Sequence, residues 1–321
     1  MLYCKFSEYL KNKYKQKVYK LPINIPVTCP NRDGTIDNKG CIFCGEEGAG
    51  FESLPNCMSV TEQIEKNSKY IGENYNADKY IVYFQNYSNT YLPIDKFKKY
   101  ILECIKQGIV AIYISTRPDC VYAEHMEFLE NIKKQSGIDI VIELGLQTVN
   151  YSTLKFLNRG HTLAEFIDAV CRIKKYNLEV CAHYIVDLPM DSIDDCIEGA
   201  KILSALGVEQ VKCHSLYILK GTKLGDLYSK GEIKPISLDE YLERIVVFIE
   251  NLKEDIVIQR LVGRAPKERT LFCNWQTSWW KIMDMIERKM ILESRYQGKG
   301  TKYNTFNGGI VNIHKKNAEK L

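Results

Sequence analysis

Thr28–Cys44, TCPNRDGTIDNKGCIFC, carries three cysteines in C-x11-C-x2-C spacing, separated by polar and turn-forming residues. A structural zinc site wants four ligands, usually from two Cys-x2-Cys knuckles. A disulfide wants two. Soft thiolates this close together select zinc, copper(I) or an iron–sulfur cluster. A cubane held by only three cysteines leaves one iron open to another ligand. The nearest spare thiol on the C-terminal side is Cys57, in LPNCMSVTEQ, where Ser59 or Thr61 reads as a helix cap.

Around this stretch the chain has an ordinary globular composition: 321 residues, 45% hydrophobic and 26% charged. That allows one large domain, or one domain with a small appendage. A formal net charge of +4 is too small to imply a polyanionic partner by itself. The opening MLYCKFSEYLKNKYKQK has no apolar core of a leader, and no run of about 18 apolar residues follows. The expectation is a cytoplasmic protein without a membrane segment. Most of the 12 cysteines are scattered singly, Cys4, Cys104, Cys171, Cys196 and Cys273 among them. They read as buried or inert thiols of a reducing compartment, which argues against a secreted disulfide scaffold.

Short β-branched and aromatic runs recur at Ile23–Val27, Tyr80–Phe84, Ile109–Ser115, Ile138–Leu144, Glu179–Val186 and Glu209–Tyr217, with a seventh candidate at Asp255–Leu261. Helical stretches alternate with them: Val60–Tyr75, Ile94–Gln107, Tyr122–Lys134, Leu163–Lys175, Ile193–Leu206 and Leu238–Lys253. This alternation implies parallel strands with right-handed crossovers, and the near-continuous apolar runs suit strands buried on both faces. The expected fold is α/β, an incomplete (β/α)6-type barrel over residues 1–230 with a C-terminal α/β extension over residues 231–321 packing on it. An open doubly wound sheet is the alternative. In either architecture the chemistry belongs at the C-terminal ends of the strands. Polar stretches fall there: Cys29 after the first run, then QNYSNTY, STRPDC, ELGLQT, HYIVDLP and CHSLYILKGTKL after the next five.

Taken in order, TCPNRDG, FQNYSNTY, STRPDC, ELGLQT, LNRGH, LKGTKL and the late RLVGRAPKER run over almost the entire chain. Together they resemble the YhcC/YtqA-type radical S-adenosylmethionine (SAM) proteins, whose core is similar to that of the catalytic subunit of Elongator. The resemblance implies a radical SAM barrel with a [4Fe–4S] cluster on Cys29, Cys41 and Cys44 and SAM on the fourth iron. It implies reductive cleavage of SAM to a 5′-deoxyadenosyl radical that abstracts hydrogen from a substrate, with an electron donor such as flavodoxin or ferredoxin.

The resemblance also suggests roles for residues on the strand ends. Gln85 and Asn86 stand where relatives often carry a glycine-rich contact to the SAM amine, so that contact falls to Gln85, Asn89 or a backbone carbonyl. Glu143 and Gln147 are candidates for the SAM ribose or methionyl group, while Glu143 has a plainer alternative as a partner of Arg117 or Arg159. Arg159 suits the SAM carboxylate, since a guanidinium fork matches a carboxylate. His161 beside it reads equally as a helix cap. Asp187, Met190 and Asp191 replace the glycine-containing turn that lets relatives' backbone approach adenine. His183 and His214, inside the fifth and sixth runs, and Tyr217 are the catalytic candidates, against the alternative of satisfied interior residues.

For a substrate the chain leaves tRNA, a small metabolite and a peptide open. Basic stretches with interleaved aromatics, KNKYKQKVYK (Lys11–Lys20) and HKKNAEKL (His314–Leu321), have the composition of phosphate-binding patches. So do Arg260, Arg264, Lys267 and Arg269 ahead of Trp279 and Trp280. Solvated surface charge and a core-packing helix are the plainer readings. A non-catalytic zinc or iron–sulfur protein, its three thiols closed by a fourth, is the competing class.

Overall fold

The computed structural model describes residues 2–45, 48, 50 and 52–304. Nine strands are described: β1 (Val18–Ile23), β2 (Lys79–Phe84), β3 (Ile109–Thr116), β4 (Asp139–Gln147), β5 (Glu179–Ile185), β6 (Gln210–His214), β7 (Tyr217–Leu219), β8 (Val257–Arg260) and β9 (Thr270–Cys273). Seven form one sheet in the order β1-β2-β3-β4-β5-β6-β8, every neighbouring pair parallel. The remaining β7 and β9 pair antiparallel as a separate ribbon. The large sheet curls on itself. Lys20 on one edge strand donates to the Gln259 Oε1 of the other, 2.7 Å away. This is the incomplete barrel that the alternation implied, and its seventh strand is the Asp255–Leu261 candidate.

The first strand lies upstream of its expected place at Ile23–Val27. The Asn24 backbone leaves the sheet because its N–H and C=O bond to the Gln63 side chain, at 2.9 and 2.7 Å. Pro22 is tolerated in β1 because that strand is an edge. The helices fall close to expectation, from Val60–Tyr75 to Leu238–Asn251. Ser59 caps the first of these with a full capping box to Glu62.

Strand periodicity divides the interior in two. Ile112, Ile114, Ile140, Ile142, Leu144 and Val180 face outward and build the main core against the helices. The residues between them face the barrel axis. Near the strand starts Ile81, Tyr83, Ala111, Tyr113, Val141 and Cys181 form a small apolar cluster around Leu10. Leu10 belongs to the helix Phe6–Tyr14, which the sequence reading did not anticipate and which stoppers the N-terminal end of the barrel.

That helix revises the reading of Lys11–Lys20 as a phosphate-binding patch. Lys13 pairs with Asp139 and Glu179, the first residues of β4 and β5, at 3.0 and 3.1 Å. Tyr14 donates to Asp139, and Lys20 points into the barrel. Lys13 and Lys20 are thus engaged by the barrel itself, while Lys11, Lys15 and Lys17 remain exposed. HKKNAEKL lies outside the described residues. Among them, no helix is long and apolar enough to cross a membrane.

Candidate active site

The C-terminal strand ends open into a cavity of about 760 Å3. Cys29, Cys41 and Cys44 line it, as do Gln85, Glu143, Gln147 and Arg159, and so do His183, His214 and Tyr217. Asn86 does not reach it. This side chain is buried, its Nδ2 donates to Asn24 Oδ1 at 2.9 Å, and Gly50 packs so closely that a Cβ there would meet Asn86 Oδ1 at 1.4 Å. Its neighbour Gln85 is the one that faces the cavity.

The eleven residues between Cys29 and Cys41 fold back on themselves. Ile36 N–H donates to the Pro30 carbonyl at 2.8 Å and Gly40 N–H to the Asn31 carbonyl at 2.7 Å. Gly40 has φ +71° with Arg32 against its Cα, so a side chain there would be strained and crowded. Asn158 clamps the loop from outside through Asp37 Oδ2 (2.6 Å) and the Gly40 carbonyl (2.9 Å). Ile42 is pinned on both sides: its N–H donates to the Leu157 carbonyl and its carbonyl accepts from Leu224 N–H. Two donors reach Cys41 Sγ, Asn31 Nδ2 at 3.5 Å and Arg159 Nη1 at 3.2 Å. The rest of the Arg159 fork is directed to the Gly145 carbonyl and His161 Nε2. Burial first, and then Arg159, hold His161 down at about 2, as a neutral acceptor. The helix that follows is capped by Thr162. Arg117 makes a two-pronged pair with Asp119 and donates to the Arg159 carbonyl, while its buried Nη1 has no partner. Gln147 is turned to the cavity by a register shift at the end of β4 and adopts φ +73°. A non-glycine residue in that conformation is worth noting at a site.

The floor is ionic. Glu143, fully buried, accepts from Lys20 Nζ at 2.8 Å, Lys212 Nζ at 3.0 Å and His183 Nε2 at 2.7 Å. Burial alone would raise this carboxyl. Lys20, Lys212 and His183 together hold it well below its usual range. Burial outweighs the carboxylate at Lys212, whose ammonium is pushed down to about 7. Burial also takes His183 down to about 4 and His214 well below its ordinary value. Lys212 donates as well to Tyr83 Oη at 2.7 Å. Glu143 therefore partners lysines, not Arg117 or Arg159. Glu143, Cys181 and His183 bring ligand atoms within 4.8 Å of one another. Two ammonium groups already hold that carboxylate, so the trio is no cation site.

The mouth carries Arg264, whose guanidinium lies 3.9 Å from the ring centre of Trp279. Trp279 and Trp280 are 43% and 56% exposed, so they are not the core-packing pair that the plainer reading allowed. The core role belongs to Trp275, whose Nε1 donates to the Ile236 carbonyl. Arg260, grouped in the sequence with the rim arginines, instead ends β8 and lines the cavity beside His214. Lys20, Lys212, Asn31 and Arg117 were missed as site residues. A lysine inside an apolar strand run, as in KVYKLPI and QVKCH, was the available signal.

Beneath the HYIVDLP turn, Asp187 is fully buried, with one oxygen accepting from Leu216 N–H at 2.7 Å and the other without a partner. Burial raises its carboxyl to about 7, opposed by the Leu216 bond and by Arg244. The folded state then holds more protons than the unfolded one between about pH 4 and 7, so this group's contribution to stability falls as pH rises through that window. Asp187→Asn keeps the acceptor and removes the charge. It should raise stability at pH 8 by about 1–3 kcal/mol and have little effect at pH 4, measured by urea midpoints. An equal effect at both pH values would show that Asp187 does not titrate there.

The family model for the Radical SAM superfamily matches residues 24–203, and that for the Radical_SAM C-terminal domain matches residues 208–291. Protein MJ0486 of Methanocaldococcus jannaschii is 34% identical over 310 residues, covering 94% of this chain and 92% of its own. YtqA of Bacillus subtilis is 30% identical over 298 residues, 92% of each chain. A tRNA uridine(34) acetyltransferase of Methanocaldococcus infernus is 30% identical over 148 residues, 45% of this chain and 27% of its own. In structure, Elp3 of Methanocaldococcus infernus matches with a TM-score of 0.65 at 18% identity, over 87% of this chain and 64% of that one. That match speaks to the fold.

Proposed function

The chain belongs to the radical SAM superfamily, and from that premise we propose that the cavity is a radical SAM active site acting on tRNA. Members of the superfamily are enzymes that use a [4Fe–4S] cluster and SAM. A cluster held by Cys29, Cys41 and Cys44 would supply the electron for reductive cleavage of bound SAM, and the chemistry so provided would be hydrogen abstraction from the substrate.

The observation that carries the reading is the placement of Cys29, Cys41 and Cys44 on one cavity wall, where no fourth cysteine joins them among the described residues. Three thiolates would hold the cluster and leave one iron for SAM. The donors at Cys41 Sγ fit such a group, because N–H bonds to cluster sulfur tune its potential. Arg32 fixes the outer turn by donating to the Cys44 and Gly45 carbonyls at 2.9 and 2.6 Å. Gln85 and Gln147 present amide groups for the SAM amine and ribose, and Arg117 offers its unpartnered Nη1. His183, His214 and Tyr217 line the same space, within reach of a bound substrate. The stopper helix closes the N-terminal end of the barrel beneath the cavity, which limits the access of water that a carbon radical must be spared.

Two observations support tRNA. One is the match to a tRNA uridine(34) acetyltransferase. The other is the Arg264–Trp279 pair at the mouth, where a cation and an exposed indole suit phosphate and base together. Flavodoxin or ferredoxin is the proposed electron donor. Anaerobically reconstituted protein given SAM and dithionite should release 5′-deoxyadenosine, and total tRNA from a strain lacking the gene should increase the release. No product from iron-loaded protein rejects the enzyme. Product without a response to tRNA leaves a small metabolite or peptide as substrate.

A further inference from the structure

Among the described residues, the cavity floor holds more positive charge than its carboxylates balance. Among the described lining residues the carboxylates are Glu143 and the exposed Glu52. Glu143 is shared by Lys20 and Lys212. Arg260 forms no ion pair with a carboxylate among the described residues. Its Nη2 reaches the His214 ring and its buried Nε has no partner. The His183 and His214 rings lie 5.4 Å apart, and both are kept neutral by burial. Among the described residues, no carboxylate is paired with the guanidinium. Arg260 is half-buried, with its Nε out of reach of water, and a cation held in a cavity without a counter-ion marks a place for an anion.

SAM does not supply that anion in net terms. Its amino-acid zwitterion is neutral and its sulfonium adds a positive charge. The cluster's thiolates are met at the other wall by Arg159. The surplus therefore faces the remaining occupant. Resting on the reading of the cavity as a radical SAM active site, we propose that Arg260, with His214 and Lys212 beside it, receives a compact oxyanion of the substrate, a carboxylate or a phosphoryl group. Lys212 lies opposite Arg260 in the β6–β8 register, and His214 is two residues further along β6 on the same face. Guanidinium, imidazole N–H and ammonium thus project from adjacent strands into one space, the donor set that a tetrahedral or planar oxyanion accepts.

The test uses the full chain, anaerobically reconstituted, with iron content and SAM-dependent 5′-deoxyadenosine release measured on the same batch. Sodium phosphate and sodium acetate are titrated by calorimetry at an ionic strength held constant with sodium chloride. At least one should bind saturably, and Arg260→Gln should weaken it by about tenfold or more. Arg260→Lys, which keeps the charge, should recover part of the loss. Arg288→Gln, at an exposed residue paired with Asp284, should change nothing. Saturation by phosphate alone identifies a phosphoryl group, and saturation by acetate alone a carboxylate. The proposal is overturned if neither anion saturates on protein that carries its iron and cleaves SAM. It is also overturned if Arg260→Gln leaves binding unchanged, or weakens SAM as much as the anion. Binding through Arg260 in a protein that does not cleave SAM would reject the radical reading and leave the anion site standing.

Discussion

Cys29→Ala, Cys41→Ala and Cys44→Ala should each lose the iron that the wild-type protein retains after anaerobic reconstitution, about four atoms per chain. The loss should be near complete in every case, because a cubane cannot be held by two thiolates against chelation. With the iron go the visible absorbance and all release of 5′-deoxyadenosine. Cys57→Ala and Cys273→Ala should keep the full complement. Cys57 is exposed, and neither residue lines the cavity. The folded state should survive the three substitutions, since the loop is held by its own backbone bonds, by Asn158 and by the pins on Ile42. Circular dichroism separates loss of iron from loss of fold. If Cys57→Ala released the iron, the site would be closed by four thiols and no iron would be open to SAM.

Glu143→Leu should be the most destabilising substitution in the barrel interior. It leaves Lys20 and Lys212 facing each other in a buried space without their counter-ion, which costs about 3–5 kcal/mol. The effect should shrink in a Lys212→Met background, because much of the cost is the stranded ammonium rather than the lost carboxylate. Urea midpoints of the two single variants and the double variant measure this coupling, and strict additivity would refute it. The same carboxylate gives a signed pH dependence. Its folded value lies well below the usual range, held there against burial by Lys20, Lys212 and His183. Its contribution is therefore fully present above the ordinary carboxyl range and is lost as pH falls below it. Glu143→Leu should flatten the acid limb of the stability profile.

Much of this was legible before any coordinates. The spacing of apolar runs specified parallel strands, and the helices fell within a few residues of their places because capping signals such as Ser59-x-x-Glu62 are local chemistry. The cysteine triplet and the polar strand ends pointed to one rim for the same reason. A parallel strand–helix repeat puts every strand's C-terminal end on one side, whatever the pairing partners are.

What the linear chain did not show depends on which faces meet. Lys20, Lys212 and Arg260 are far apart in sequence and look like surface charge. Only the curl of the sheet turns alternate residues of β1, β6 and β8 toward one axis and makes them one cavity-lining cluster around Glu143 and His214. The same closure brings Phe6–Tyr14 under the barrel and takes Lys13 to the acidic strand starts. It also leaves Trp279 and Trp280 outside while Trp275 enters the core. The sequence by itself determined the repeating units and the parallel order of their strands, because those follow from local propensity and spacing. The tertiary structure alone decided which charges are buried and which of them lack a partner, because burial and Coulomb energy depend on distances that only the closed sheet sets.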